Sequence, residues 1–220
     1  MNLLLFPNNL YEVKYLPDKI DKIYLLEDPV YFGFREKKMN FNKLKLVLHR
    51  ASMKNYENYL KSKKLKVEYI EFNKLKNLKY SFMSKLKLIN HFELNDHLLQ
   101  GRLDKHTKNK EVIILDNPNF LVTTEILDKY HDNKNNKNRF FHKNFYDFIK
   151  DELNILKGVK SYDNDNRKPL PKNTKIPDIP NKKKSKFELE AISYINKLFP
   201  NNYGEADMLL YPISHDEAKK

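Results

Sequence analysis

The chain contains no cysteine and no tryptophan, and only four glycines among 220 residues. Without cysteine there is no disulfide, no thiolate zinc site and no iron–sulfur ligation from this polypeptide. That absence fits a reducing interior, and a cytoplasmic or other intracellular reducing compartment is expected. So few glycines, scattered as they are, provide neither the G-x-G-x-x-G turn nor the P-loop that cradles phosphates. Long apolar runs are missing too. The most apolar segments, Leu3 to Phe6 and Val112 to Leu115, are strand-length and far short of a bilayer span, so no membrane partner is expected. The amino terminus is apolar at once, without a basic leader and cleavage site, so no secretory signal is expected.

What is abundant is positive charge. Lysine and arginine number 42 against 29 acidic residues, a formal net charge of +13. Such a surface attracts and steers polyanions, of which nucleic acid is the commonest. The plainer alternative is a lysine- and asparagine-heavy genome, since the lysines are spread along the chain rather than gathered in one block. Both readings stand at this point. Hydrophobic residues at 40% and aromatics at 13% are enough for a core.

Short β-type runs alternate with helical periodicity through the first half. Leu3 to Phe6 ends at Pro7, and Ile23 to Leu26 ends at Glu27-Asp28-Pro29. Between Phe41 and Lys61, Leu44, Val47, Leu48, Ala51, Met53, Tyr56 and Leu60 recur at helical spacing. Strands follow at 67–70, 88–92 and 112–115, with helices expected over 75–85, 96–105, 125–130 and 144–156. Strands separated by helices imply parallel crossovers. The expected fold class is therefore α/β: a Rossmann-like, doubly wound, mostly parallel sheet with helices on both faces, followed by an extended linker and a short helix. The linker is Tyr162 to Lys186, with prolines at 169, 171, 177 and 180. Phe187 to Phe199 reads as an amphipathic helix, and Ser214 with Asp216-Glu217-Ala218 as the cap and first turn of another.

Catalytic signatures are sparse. The seven histidines form no metal-like pair at i, i+3 or i, i+4, and no serine sits in a nucleophile elbow. Glu27 and Asp28 are adjacent on a strand, so they point to opposite faces and do not by themselves make an acid/base pair. The residues alone support a basic α/β domain with a ligand site where the strands end.

Several segments, in order and at the right spacing, resemble the photolyase-related protein family, the iron–sulfur branch of the photolyase/cryptochrome superfamily. Leu5-Phe6-Pro7-Asn8-Asn9-Leu10 is similar to the family's first strand and turn, and Tyr24 to Tyr31 to its second strand and acidic end. Lys43 to Leu48 with Ala51-Ser52-Met53-Lys54 resembles the first long helix. Phe120-Leu121 and Asn144-Phe145-Tyr146 match further landmarks. Tyr162-Asp163-Asn164-Asp165-Asn166-Arg167 is similar to the signature of the interdomain loop. Leu198 to Gly204, and Pro212-Ile213-Ser214-His215-Asp216-Glu217-Ala218, resemble the approach to the second domain.

The resemblance implies a division into residues 1–157 as the α/β antenna-binding domain, 158–186 as the interdomain loop, and 187–220 as the start of a helical FAD-binding domain that continues beyond Lys220. It implies a light-harvesting antenna, often a ribityllumazine, near the carboxyl ends of the first strands. FAD and an iron–sulfur cluster would belong to the second domain. The intact protein would repair UV photoproducts in DNA by light-driven electron transfer, and this chain alone would neither bind FAD nor repair DNA. The implied antenna residues are Asn8, Asn9, Leu10, Glu27, Tyr31 and His49; the implied DNA contacts are Arg167, braced by Asn166. The partners would be DNA and the FAD domain. The chain departs from the family pattern at Asn8 and Asn9, where an acidic residue or histidine followed by glutamine is usual. It departs again at Tyr31, where many members carry glutamate, so the tyrosine would either stack on a flat chromophore or plug the pocket. Glu27 has an alternative reading as a cap or as a partner of Lys43. Two other readings of function remain: a cryptochrome-type light sensor, or a degenerate basic α/β nucleic-acid-binding module without photochemistry.

Overall fold

The apolar runs at 3–6 and 23–26 become the centre of a five-stranded sheet in the computed structural model of the chain. The structure describes residues 1–34, 37–77, 79–132, 141–158, 168–178 and 182–219. The strands are β1 (Asn2–Leu5), β2 (Lys22–Leu26), β3 (Val67–Ile70), β4 (Leu88–Phe92) and β5 (Glu111–Leu115). Their order is β3-β2-β1-β4-β5 and every pairing is parallel, with Leu3 beside Ile23 on one side and Asn90 on the other. The chain winds outward from β1 to β3, then returns past β1 to β4. The strand order therefore reverses between β1 and β4, the place where an open α/β sheet leaves a crevice at its carboxyl edge.

Alternation along the strands sorts the core into two layers. Leu3, Leu5, Ile23 and Leu25 pack with Met53, Tyr56 and Leu60 of α1 (Lys43–Ser62). Leu4, Phe6, Tyr24 and Leu26 face the other way, onto Tyr80, Met83 and the α3 (His97–Thr107) residues Leu99 and Leu103. Both faces of β1 and β2 are buried, which is why those strands read as continuous apolar runs. α1 starts at Asn42, whose side-chain oxygen accepts from the Leu44 amide at 2.8 Å, and ends where Lys64 takes a left-handed φ of 62°.

The β3-to-β4 crossover departs from expectation. Instead of one helix over 75–85, it consists of the four-residue α2 (Phe72–Leu75) and a 3-10 turn at Ser81–Lys85.

The described residues form two compact units, Met1–Pro118 with Lys182–Lys220, and Asn119–Asn181. The chain thus divides at 118 and 181 rather than at 157 and 186. In the first unit α6 (Lys186–Leu198), opened by a Ser185/Glu188 capping box, lays Ala191 and Ile195 against Leu46, Val47 and Ala51 of α1. Residues 187–220 are therefore packed onto the α/β unit, and end in α7 (His215–Ala218), capped by Ser214. The second unit holds α4 (Thr124–Asp132) and α5 (His142–Glu152), joined by Tyr130 against the rings of Phe145 and Phe148. Its proline-bearing residues 168–178 carry neither helix nor strand and are exposed. No helix among the described residues is long and apolar enough to cross a membrane.

Candidate functional site

The loop leaving β1 turns tightly at the carboxyl edge of the sheet, with the Asn9 amide bonded to Phe6 O at 2.9 Å. Asn9 is wholly buried. Its Nδ2 donates to the Tyr11 hydroxyl (3.1 Å), which donates to Asn117 Oδ1 (2.7 Å). Asn117 Nδ2 in turn donates to Asn95 Oδ1 (2.8 Å) and Glu93 O (3.1 Å). The loops after β1, β4 and β5 are thereby tied together across the switch point. Asn9 Oδ1 is left buried and has no hydrogen-bond partner among the described residues.

Beside it, the Tyr31 hydroxyl donates to Asn8 Oδ1 at 2.8 Å, and the Tyr31 ring meets the His49 ring edge-on, centroids 5.7 Å apart. Tyr31 comes from the 3-10 turn Pro29–Phe32 after β2, and His49 from the second turn of α1. His49 Nε2 is likewise buried without a partner among the described residues. Burial, helped by the nearby Lys45 charge, pushes its imidazole down to about 4, so the ring is neutral near pH 7. Asn8, Tyr31 and His49 are thus brought together, and Asn9 adjoins them in the chain. Leu10 faces a different feature. It lines a groove of about 430 Å³ with Ser52, Asn55 and Tyr59 of α1 and residues 212–216, and its carbonyl lies 2.6 Å from His215 Nε2.

Glu27 is engaged by the fold itself. It is 0% exposed, and both carboxylate oxygens are occupied: Oε1 by Arg50 Nη1 (2.9 Å) and the Tyr69 hydroxyl (2.6 Å), Oε2 by the Phe72 amide (2.8 Å) and the Tyr194 hydroxyl (3.4 Å). Its cation is Arg50 rather than Lys43. Arg50, 2% exposed, also reaches Glu71 (3.1 Å) and Glu190 (2.5 Å) and lies 3.3 Å over the Tyr194 ring. Burial pushes the Glu27 carboxyl up, while the Arg50 charge and the Phe72 amide pull against it. The hydrogen-bonded carboxylates around Arg50 overcome its burial and hold the guanidinium firmly charged. β2, β3, α1 and α6 all meet on this one guanidinium.

Asp28 heads the adjacent turn. Its Oδ1 accepts from the Val30 amide (2.9 Å) and lies 3.5 Å from Arg102 Nη1, while Oδ2 accepts from the Tyr80 hydroxyl. The turn closes on Gly33, whose φ of 94° and proximity to Met39 O leave no room for a side chain.

A chromophore with a polar ring edge fits this place in part. Asn9 Oδ1 and His49 Nε2 are buried polar atoms that a ligand could satisfy, and Tyr31 offers an aromatic face. Glu27, with its oxygens committed, does not present a spare acceptor. Arg167 and Asn166 lie outside the described residues. Among the described residues no cluster of three or more histidine or acidic side chains could hold a metal ion.

Arg50, Glu71, Glu190 and Tyr194 escaped sequence reasoning, although a signal existed. Only five of the 42 basic residues are arginine. One of them sits in the apolar stripe of α1, four residues after Leu46 and beside Ala51. Arginine is the residue suited to a buried, multiply bonded cation.

Similarity to known proteins accords with this architecture. An uncharacterized protein of Acanthamoeba polyphaga mimivirus is 33% identical over 184 residues, an alignment covering 76% of this chain and 94% of the viral one. The family model for deoxyribodipyrimidine photo-lyase-related proteins matches residues 3–211, nearly the whole of both compact units. With the all-parallel sheet and the matching motifs in register, the chain belongs to the deoxyribodipyrimidine photo-lyase-related protein family.

Proposed function

We propose that this chain is the antenna-type α/β part of a photolyase-related flavoprotein acting in light-driven repair of UV photoproducts in DNA. The observation that carries this reading is the match of residues 3–211 to the photolyase-related family, supported by two buried polar atoms without a hydrogen-bond partner among the described residues, Asn9 Oδ1 in the loop after β1 and His49 Nε2, whose ring meets Tyr31. Buried polar groups are almost always hydrogen-bonded, so each of these orphans is a reason to look for a ligand. A lumazine-type antenna would take its ring-edge hydrogen bonds from Asn9 and His49 and its stacking from Tyr31, with Asn8 fixing the Tyr31 hydroxyl. When bound, such a group absorbs near-ultraviolet light and passes excitation to a flavin. FAD and an iron–sulfur cluster would be supplied by a helical partner domain, and DNA would be met through Arg167, with Asn166 bracing its loop.

The test is spectroscopic. Titration of the purified chain with 6,7-dimethyl-8-ribityllumazine should give a saturable absorbance shift that Tyr31→Ala and His49→Leu abolish while the thermal unfolding transition persists. Protein that leaves the lumazine spectrum unchanged would remove the antenna role and leave the fold standing.

One observation favours a second reading. The alignment accounts for 94% of the viral relative, so almost all of that protein corresponds to this chain, with little length left for a flavin domain. A basic α/β module that binds nucleic acid without photochemistry is consistent with that. Blue-light repair of photoproduct-bearing DNA, assayed with and without a flavin-domain polypeptide, separates this reading and a sensor role from the first.

A further inference from the structure

The irregular β3-to-β4 crossover has a consequence for the sheet face beneath it. A full helix over 75–85 would roof β2 and β3. The two short turns present instead leave a cavity of about 580 Å³ between those strands and residues 74–85. That is within the size range of small-molecule sites, about 300–1,000 Å³. Parallel register puts Tyr24 of β2 beside Glu68 of β3, and Lys22 and Ile70 complete the floor. Lys74, Lys79 and Lys85 come from the crossover.

Two features separate this cavity from an ordinary lysine-rich surface. Its charges are one-sided. Glu68 is the single carboxylate in the lining and is taken by Lys22 at 2.5 Å. Lys74, Lys79 and Lys85 are exposed, and none has a carboxylate partner among the described residues. The lysines also surround aromatic rings: Phe82 stacks on Tyr24 with centroids 5.2 Å apart and planes 27° from parallel, and Phe82 is the more exposed of the two. Cations around an aromatic platform suit a ligand that carries phosphate and a flat ring together.

We propose that this cavity binds a nucleotide unit, either free or within a single strand, with the base against Phe82 and the phosphate among Lys74, Lys79 and Lys85. It lies apart from the Asn8–Tyr31–His49 cluster and needs neither an antenna nor the loop containing Arg167. Stacking sets affinity largely independently of salt, whereas lysine–phosphate contacts set the salt dependence.

The experiment measures fluorescence anisotropy of a labelled short oligothymidylate with the full chain at several salt concentrations. For wild type, measurable binding is expected, weakening as salt rises. Lys79→Gln with Lys85→Gln should flatten the log–log salt slope by up to about 0.7, the contribution of one phosphate contact on a single strand, since the three lysines meet one phosphate. Phe82→Leu should weaken binding at fixed salt by about fivefold or more with the slope unchanged. Because Phe82 also packs on Tyr24, thermal unfolding is followed in parallel, and the lysine pair, being exposed, provides a variant that does not disturb the core. Competition by thymidine monophosphate would identify a free nucleotide as the ligand, and competition by unlabelled strand alone would identify a nucleic acid; either supports the site. Wild-type affinity in both variants overturns it. So does Phe82→Leu binding normally while pyrophosphate competes as well as nucleotide, because the patch is then only an anion-attracting surface.

Discussion

Replacing Arg50 by methionine should be among the most damaging single changes in the chain, for a reason that can be apportioned. The guanidinium contacts three carboxylates. Glu71 and Glu190 are 37% and 44% exposed; contacts of that kind contribute about 0–1 kcal/mol each, because water solvates the released carboxylate. Glu27 is different. It is fully buried and keeps only neutral donors, Tyr69, Tyr194 and the Phe72 amide, once the cation is gone. Stranding a buried charge costs about 3–5 kcal/mol. For a chain of this size, at about 2–4 °C per kcal/mol, the transition should fall by about 6–20 °C.

Two further readouts separate a stranded charge from lost packing. Burial already pushes the Glu27 carboxyl up, and losing Arg50 pushes it further. A carboxyl whose folded-state affinity for protons exceeds its unfolded one loses stability as pH rises through the folded value. The variant's deficit should therefore be largest near pH 8 and shrink toward pH 5. Arg50→Met combined with Glu27→Gln should recover most of the loss, because no unpaired charge remains. Thermal unfolding followed by circular dichroism across that pH range reads all three. A single variant within about 1 kcal/mol of wild type, or a double variant as unstable as the single, would refute the account.

His49 should stay neutral: its imidazole resonances should not titrate between about pH 5.5 and 8, because burial holds it near 4. Its folded affinity for protons lies below the unfolded one, so it contributes a loss of stability as pH falls from about 6.5 toward 4, a loss His49→Leu should remove. Tyr31→Phe deletes the hydroxyl bonded to Asn8 and should cost about 0.5–1.5 kcal/mol in chemical denaturation. Gly204→Ala forces a side chain onto a φ of 87° with its Cβ 2.7 Å from Asn42 Nδ2, the residue that caps α1. The strain and a disturbed cap together should cost about 2–3 kcal/mol, read as earlier melting and faster amide exchange in the first turn of α1.

What the sequence disclosed, and what it hid, follows from how each element is stabilised. β1 and β2 were readable because burial on both faces demands unbroken apolar runs, and α1 because a single long stripe is buried. The acidic end of β2 was readable as a special place, but not the direction in which Glu27 turns. Its partners arrive from positions 50, 69, 72 and 194, and no local pattern reports contacts of such separation. Asn9 and Asn117 posed the same difficulty, being joined through Tyr11 across more than a hundred residues.

The crossover at 75–85 failed for the opposite reason. Its apolar residues, Leu75, Tyr80, Met83 and Leu86, recur closely enough to resemble a helix, and all four are buried in one cluster. Helical periodicity, though, records only which residues reach the core, not whether the backbone between them is helical. Two short turns can deliver the same side chains to the same face while covering less of it. The lysines interspersed among them, Lys79 and Lys85, stand at the rim of the space left open. The misread element and the candidate nucleotide cavity therefore have one structural origin. Rebuilding 75–85 as a continuous helix by alanine substitution at Asn77 and Ser81, with Lys79→Ala to clear the core-facing side, should, if that origin is right, abolish oligothymidylate binding while the chain stays folded; binding retained in such a helical variant would refute it.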